Sequence, residues 1–299
     1  MDLIRPGIHI EFMKYNKITT GVSVVFLSIC LISILVRGLN YGIDFSGGTE
    51  IQVAFNKAVQ TDEVRAALKP LGFEAATIQS MGISSDNEFL IRTSTEGDAG
   101  YQSAKKIEGA LKNTFGEKEV DIRGTNMVGS AVSGDLKQKG FFSLLYAGIG
   151  LLIYIWWRFE LSFSVGAIAA LVHDVIVTVG LFSLTGKEID LTVIAALLTI
   201  VGFSLNDTIV IFDRVRENLK KLTDSVGLAT VMDNSVSQTL NRTILTSFTV
   251  FVTVLCLFLL GGSVIHNFAF ALIVGVISGV YSTVFIANPV VLLFNRNKK

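Results

Sequence analysis

Six uncharged or nearly uncharged runs dominate the hydrophobic pattern of the chain. A membrane-spanning helix needs roughly 20 apolar residues, because the hydrocarbon core of a bilayer is about 30 Å thick. The first run is too long for the apolar part of a signal peptide, and no small-x-small cleavage pattern follows it. The pattern therefore predicts six transmembrane helices, at 18–36, 140–157, 161–184, 191–212, 243–260 and 268–287.

The segment 37–139, between the first two runs, has a different pattern. Period-two alternation predicts strands at 48–55, 75–81, 88–93 and 119–123, with a turn from Gly82 to Asn87. Helical periodicity predicts helices at 61–71 and 100–115, the second with Ala104, Ile107, Leu111 and Phe115 on one face. The order strand-helix-strand-strand-helix-strand is the split βαβ pattern of ferredoxin-like domains. The sequence thus predicts an α-helical membrane protein that carries one α+β ferredoxin-like domain.

Basic residues near the membrane indicate which way the helices point, since cytoplasmic tails and short loops carry an excess of Lys and Arg. The short loops on one side contain only Lys187. We therefore expect both tails, 1–17 and 288–299, and the loop 213–242 to be cytoplasmic, and the domain 37–139 to be external. The opposite side holds Arg5, Lys14, Lys17, Arg158, Arg214, Arg216, Lys220, Lys221, Arg296, Lys298 and Lys299.

The composition excludes several classes of function. The chain is 51% hydrophobic and 17% charged, with 25 basic and 25 acidic residues, so no overall field favours nucleic acid as a partner. Both cysteines, Cys30 and Cys256, lie in apolar runs, which argues against a disulfide or zinc site. Without a Walker loop or an H-E-x-x-H motif, the sequence predicts no enzyme, no cofactor and no metal.

Ionisable residues inside the apolar runs carry the functional hypothesis, because each costs about 2.5–3.5 kcal/mol to insert. Asp207 lies about 24 Å along the fourth run from its external end. Arg242 opens the fifth run at a similar depth and forms a polar stripe with Thr246, Thr249 and Thr253. We expect Asp207 to carry protons and Arg242 to be its counter-charge, although a carboxylate that reaches the inner surface and an interfacial arginine are open alternatives.

A second ionisable pair, His173-Asp174, sits at the middle of the third run with Thr178 one turn later. Helix-helix hydrogen bonding and a proton relay are equally open readings there, so Asp174 ranks behind Asp207 as a coupling residue. The small-xxx-small pattern from Gly275 to Gly279 in the sixth run predicts close helix packing without a transport role.

Three motifs give the chain a resemblance to the SecF family over essentially its full length. The first includes Gly42, Asp44, Phe45, Gly47 and Gly48. The others are Val201 to Thr208, which contains Asn206 and Asp207 and runs on to Asp213 and Arg214, and Asn241 to Ser247 around Arg242.

The resemblance implies a multi-pass subunit of the bacterial inner membrane with a periplasmic domain. The family pairs with SecD beside the SecYEG channel and pulls on preproteins after the SecA ATPase has started them across. YajC and YidC are further partners that the resemblance implies. The family belongs to the resistance-nodulation-division superfamily, whose proton paths use a membrane-buried Asp with a basic partner, and the matching residues here are Asp207 and Arg242. Membrane lipid is the surrounding partner.

Two other functions fit some of the same residues. Half of a proton-coupled small-molecule exporter would use the same carboxylate chemistry, but exporters of that superfamily carry much larger external regions. A passive scaffold of the translocon would leave Asp207 and Arg242 replaceable by neutral polar residues. The Gly47-Gly48 pair is a weak phosphate-binding signal, because no helix starts directly after it.

Overall fold

The computed structural model describes residues 10–73, 76–81, 87–94, 97–221, 227–262 and 264–296. Outside these ranges lie most of the predicted turn from Gly82 to Asn87 and the basic residues Arg5, Lys298 and Lys299. The chain divides into two compact units, Met1–Asn40 with Ser143–Lys299, and Tyr41–Phe142. Each unit is considered separately below.

Regular structure covers most of the described chain. A 3₁₀ turn, Phe12–Tyr15, precedes the first helix, and a π-helical turn, Thr283–Ala287, joins the last two. The elements in chain order are α1 (Asn16–Arg37), β1 (Asn40–Tyr41), α2 (Ile43–Ser46), β2 (Gly48–Phe55), α3 (Thr61–Leu68), β3 (Thr77–Met81), β4 (Glu88–Thr93), α4 (Gly97–Phe115), β5 (Val120–Val128), α5 (Ser130–Arg158), α6 (Leu161–Thr185), β6 (Glu188–Ile189), α7 (Leu191–Lys221), α8 (Leu228–Leu260), α9 (His266–Ser282) and α10 (Asn288–Arg296).

Six helical segments in the described part of the chain are long and apolar enough to cross a membrane, which confirms the predicted number. They are α1 with its preceding turn, α5, α6, α7, α8, and α9 continued through the π turn and α10. The spans of α6, α7 and α9 are far more buried within the protein than those of α1, α5 and α8. The first three therefore form the inside of this unit.

The helices extend beyond the apolar runs. The segment 213–242, expected as a loop, is mostly helical where it is described, since α7 continues to Lys221 and α8 begins at Leu228. Likewise α5 begins at Ser130, ten residues before the run that starts at Gly140. The reason is that hydropathy marks only the part of a helix within hydrocarbon, whereas charged residues three or four apart, such as Arg214 and Glu217, support a helix in water.

Small residues let the inner helices approach closely. A Cβ added to Gly180 on α6 would overlap the side chain of Cys30 on α1, and one added to Gly275 on α9 would overlap Ile200 on α7. Gly279 faces Ser204 on α7 at the next turn. These contacts confirm the packing role predicted for the Gly275 to Gly279 pattern.

The Tyr41–Phe142 unit is built around a four-stranded antiparallel sheet in the order β3-β4-β2-β5. Ile51 and Val53 in the central strand β2 pair with Ile91 and Phe89 of β4. The apolar core joins the sheet to α3 and α4 and includes the helical positions predicted to share one face: Ala104, Ile107, Leu111 and, partly buried, Phe115. Each strand and helix predicted for this segment is present, with ends that differ by a few residues.

The contact between α1 and α6 provides a stability test. Gly180→Ala places a methyl group against Cys30 next to its backbone, so one helix must move away, and overpacking of this kind costs about 1–3 kcal/mol. We expect the melting temperature of the purified chain in detergent to fall by several degrees. Gly148→Ala is the matched control on α5, because the described residues leave the space around its added Cβ open. Equal melting temperatures for both variants would contradict the close contact.

Candidate functional site

Asp174 is the centre of a buried hydrogen-bond cluster that joins three helices. Its carboxylate on α6 is fully buried and accepts hydrogen bonds from three serine hydroxyls. Ser204 on α7 donates to Oδ2 at 2.6 Å, and on α9 Ser278 donates to Oδ1 at 2.5 Å and Ser282 to Oδ2 at 2.8 Å. Three short bonds to hydroxyls satisfy most of the accepting capacity of the carboxylate.

The neighbouring His173 completes this cluster. Its Nδ1 lies 3.1 Å from Oδ1 of Asp174, and its ring stacks on Tyr281 of α9 with centroids 5.9 Å apart. The Tyr281 hydroxyl in turn donates to the backbone oxygen of Thr19 on α1. Polar contacts from Asp174 and His173 therefore link α6 to α7, α9 and, through Tyr281, to α1.

Asp207 lies on α7, one turn beyond Ser204, in different surroundings. Its side chain is also buried, with 3% of the residue exposed, but its described hydrogen bond is a single long one, from the hydroxyl of Ser247 on α8 at 3.4 Å. A hydroxyl-carboxylate bond is normally 2.5–2.7 Å long, so this contact is weak. Asp207 is thus a buried carboxyl group with spare accepting capacity.

Arg242 lies on the exposed side of α8 rather than against Asp207. No hydrogen bond or ion pair joins the two side chains among the described residues. Arg242 lines an open cavity with Thr239, and the hydroxyls of Thr246, Thr249 and Thr253 bond to carbonyl groups of their own helix. The predicted polar stripe therefore faces away from the inner helices.

Sequence reasoning did not identify the hydroxyl groups that bind the two carboxylates. Ser278 lies inside the Gly275 to Gly279 pattern and Ser282 follows one turn later, so both are on one face of α9, but a serine in a small-residue motif is as compatible with simple packing. Thr283 begins the π turn, and its hydroxyl forms a hydrogen bond of 3.1 Å with the hydroxyl of Thr208 on α7. Only the arrangement of the helices shows which hydroxyl reaches which carboxylate.

The buried Asn288 follows the π turn. Its amide nitrogen donates to the carbonyl oxygens of Thr283 and Val284, which the wider helical turn leaves available. These contacts stabilise an irregular backbone at membrane depth. Across the described residues, no group of three or more His, Cys, Asp or Glu side chains is arranged to hold a metal ion.

The first family motif has a structural explanation in the Tyr41–Phe142 unit. Gly42 caps the short helix α2, and Phe45 is buried edge-on to the ring of Tyr41 at 6.2 Å. Gly47 ends α2 with φ +73°, a conformation that favours glycine. Gly48 has φ +121°, and a Cβ there would overlap the carbonyl oxygen of Thr93.

This geometry explains both glycines by backbone conformation and close strand approach, so the weak phosphate-binding interpretation is not needed. Asp44 occupies the first turn of α2, where an acidic side chain is favourable.

The remaining motif residues lie on α7. Asn206 is exposed next to Asp207. Both oxygens of Asp213 accept a hydrogen bond from Arg158 at 3.0 Å. Arg214 donates to Gln238 of α8 and to Glu217, each at 2.6 Å. Asp213 and Arg214 thus connect α7 to α5 and α8 rather than approach the buried carboxylates.

Family models match both parts of the chain. The model described as "Protein export membrane protein SecD/SecF, C-terminal" matches residues 106–297, and the model of the "SecD/SecF GG Motif" matches residues 32–59. The second match contains the two glycines whose conformation is described above.

Individual relatives agree with these matches. Protein translocase subunit SecF of Desulfurispirillum indicum is 42% identical, with 94% of this chain and 90% of the relative covered. Protein translocase subunit SecF of Vibrio alginolyticus is 40% identical, with 97% of this chain and 91% of the relative covered. The crystal structure of SecDF, a translocon-associated membrane protein from Thermus thermophilus, superposes with a TM-score of 0.87 at 32% identity.

That comparison covers 97% of this chain but only 39% of the SecDF chain, so this chain spans well under half of SecDF. Motifs, full-length relatives and the superposition all agree on one assignment. The chain belongs to the SecD/SecF family of protein-export membrane proteins and is similar over its length to its SecF members.

Proposed function

We propose that the chain is a subunit of the Sec protein-export machinery that uses the proton motive force, together with SecD, to pull preproteins through the SecYEG channel after SecA has started them across. Relatives named as protein translocase subunits support the Sec association. The buried and weakly bonded carboxyl group of Asp207 supports proton coupling.

We propose further that the Tyr41–Phe142 unit is a ferredoxin-like domain on the periplasmic side. The element order and the antiparallel strand order β3-β4-β2-β5 support this fold, because they reproduce the split βαβ arrangement. The basic residues at the ends of α5 and α7, among them Arg158 and Lys220, support a cytoplasmic location for those ends.

In the proposed proton step, Asp207 binds and releases the proton and Arg242 modulates its affinity. Burial favours the neutral form of a carboxyl group, whereas an approaching guanidinium favours the charged form. The described arrangement, with Arg242 on the open cavity and unpaired with Asp207, corresponds to the separated state of such a switch. A proton that crosses 100 mV supplies about 2.3 kcal/mol for movement of the external domain.

Asp174 has a different role in this proposal. Its three hydroxyl donors would have to rearrange for the carboxylate to accept a proton, since each serine already points its hydrogen at an oxygen. Protonation of Asp207 would disturb only one long hydrogen bond, that from Ser247. We infer that Asp174 holds α6, α7 and α9 together and that Asp207 carries the proton.

The orientation can be tested with accessibility tags. A tag between 213 and 241, or at either terminus, should be labelled from the cytoplasm, and a tag between 56 and 126 should be labelled from outside, because the basic residues favour that orientation. The measurement is labelling of single introduced cysteines by an impermeant reagent in a Cys30→Ala, Cys256→Ala background. External labelling at the C-terminus would disprove the proposed orientation.

The coupling role is tested by Asp207→Asn, which is nearly isosteric but cannot release a proton. In vesicles that contain the translocon, SecD and this variant, we expect the stimulation of preprotein export by the proton gradient to be lost while ATP-driven initiation by SecA persists. Asn206→Asp, on the adjacent exposed position, controls for a change of charge in the same helix turn. A normal response of Asp207→Asn vesicles to the gradient would show that another residue, with Asp174 next in rank, carries the proton.

The structural role of Asp174 is tested by comparing two alanine substitutions. Asp174→Ala leaves three buried hydroxyls without their acceptor, and each unsatisfied group costs about 1–3 kcal/mol, so we expect a loss of stability on the order of 3 kcal/mol. Asp207→Ala removes one weak bond at a similarly buried position and should cost much less. Melting temperatures in detergent compare the two; similar losses would argue against the assigned difference in roles.

A further inference from the structure

An open cavity of about 650 Å³ lies where α5, α7 and the middle of α8 meet. The described residues that line it are strongly basic, with five cationic side chains against the two carboxylates of Asp213 and Glu217, an excess of three positive charges. Like charges gathered at one site repel each other and attract anions. The five are Arg158, Arg214, Arg216, Lys220 and Arg242.

The two carboxylates are already engaged within the protein. Asp213 accepts from Arg158 at 3.0 Å and lies 3.7 Å from Arg216. Glu217 lies 2.6 Å from Arg214 and 4.0 Å from Lys221.

Lys220 and Arg242 have no carboxylate within ion-pair distance among the described residues, and both are exposed. Among the described residues, no carboxylate therefore neutralises the remaining positive charge of the cavity.

Aromatic residues orient two of the guanidinium groups and indicate the depth of the cavity. Arg158 and Arg216 both lie over the ring of Phe159, at 5.2 and 5.6 Å from its centroid. Directly before Arg158, Trp156 and Trp157 are 67% and 86% exposed. Exposed tryptophans at the end of a membrane helix are typical of the headgroup level, so the cavity opens at the membrane surface.

Apolar surface continues from the cavity toward the membrane centre. Val210 forms part of the lining, one turn before Asp213 and Arg214. Leu245 is 46% exposed on the same side of α8 as Arg242, three residues further into the apolar run. A ligand that fits this surface combines an anionic group with hydrocarbon chains.

We propose that this cavity binds the phosphodiester headgroup of an anionic phospholipid, with Lys220 and Arg242 as the free cationic partners and the acyl chains against the apolar surface below. Basic pockets between transmembrane helices on the cytoplasmic side suit such headgroups. A small soluble phosphate would satisfy the charge but would gain nothing from Val210, Leu245 or the membrane-level opening. The proposal goes beyond the proton step and does not depend on it.

The test uses the whole purified chain in neutral detergent micelles and a fluorescent phosphatidylglycerol, with phosphatidylcholine as the neutral lipid. We expect phosphatidylglycerol to bind more tightly, with an advantage that shrinks as salt is raised. Lys220→Gln should weaken its binding about five-fold, and Lys220→Glu on the order of 25-fold, from about 1 kcal/mol per basic charge at an anionic surface. Binding of phosphatidylcholine should not change.

The matched control is Lys106→Gln, the same neutralisation at an exposed lysine of α4 that does not line the cavity. We expect it to leave lipid binding unchanged. Equal affinity for the two lipids, or an unchanged affinity of Lys220→Gln, would overturn the proposal.

Competition by glycerol 3-phosphate at the concentration at which the lipid binds would instead assign the cavity to a soluble phosphate compound. Loss of SecD association in Lys220→Gln with unaltered lipid binding would assign it to a protein interface. Either result contradicts a lipid site, and neither depends on Asp207.

Discussion

The arrangement of the inner helices depends on one constraint, that a charge inside hydrocarbon needs its partners within the protein. Asp174 meets this constraint with three serine hydroxyls from two other helices. Hydrogen bonds of 2.5–2.8 Å require close approach, and α9 has small residues where it meets α7: Gly275 packs against Ile200 and Gly279 against Ser204. The close packing that the glycines allow therefore brings the serine hydroxyls within hydrogen-bond distance of the Asp174 carboxylate.

The weakly bonded Asp207 lies beside the tightly bonded cluster around Asp174. Ser204 and Asp207 are one turn apart on α7, so the helix is held firmly by the first while the second has a single long contact to α8. Since α8 is largely exposed within this chain whereas α6, α7 and α9 are not, α8 can move with less loss of packing than those three helices. Motion of α8 would change the distance between Arg242 and Asp207.

The ends of α5 and α7 next to the basic cavity follow a different physical rule. There the charged groups lie partly in water, and ion pairs such as that of Arg158 with Asp213 contribute little stability because solvent screens them. The excess of basic side chains over acidic ones there concentrates positive charge at one level of the membrane. Arg242 belongs to this basic cavity, so an anion bound there would contact the same guanidinium that we propose as the modulator of Asp207.

The sequence by itself determined which segments form helices and strands, because those depend on the local periodicity of apolar residues. The six membrane helices, the strand Gly48–Phe55 and the buried face of α4 were all predicted from that pattern. It also selected Asp174 and Asp207, since a charge in an apolar run is conspicuous. Helix ends beyond the membrane were missed because hydropathy does not report on helix formation in water.

Only the tertiary structure decided what surrounds each carboxylate. Asp174 and Asp207 look alike in the sequence, but 104 residues separate Asp174 from Ser278, and hydrogen bonds over that distance depend on how helices pack. The same holds for Arg242, which was predicted to pair with Asp207 because both lie at a similar depth, and which instead lines the basic cavity. A periodic pattern fixes the face of a helix on which a residue lies, whereas packing fixes what that face meets.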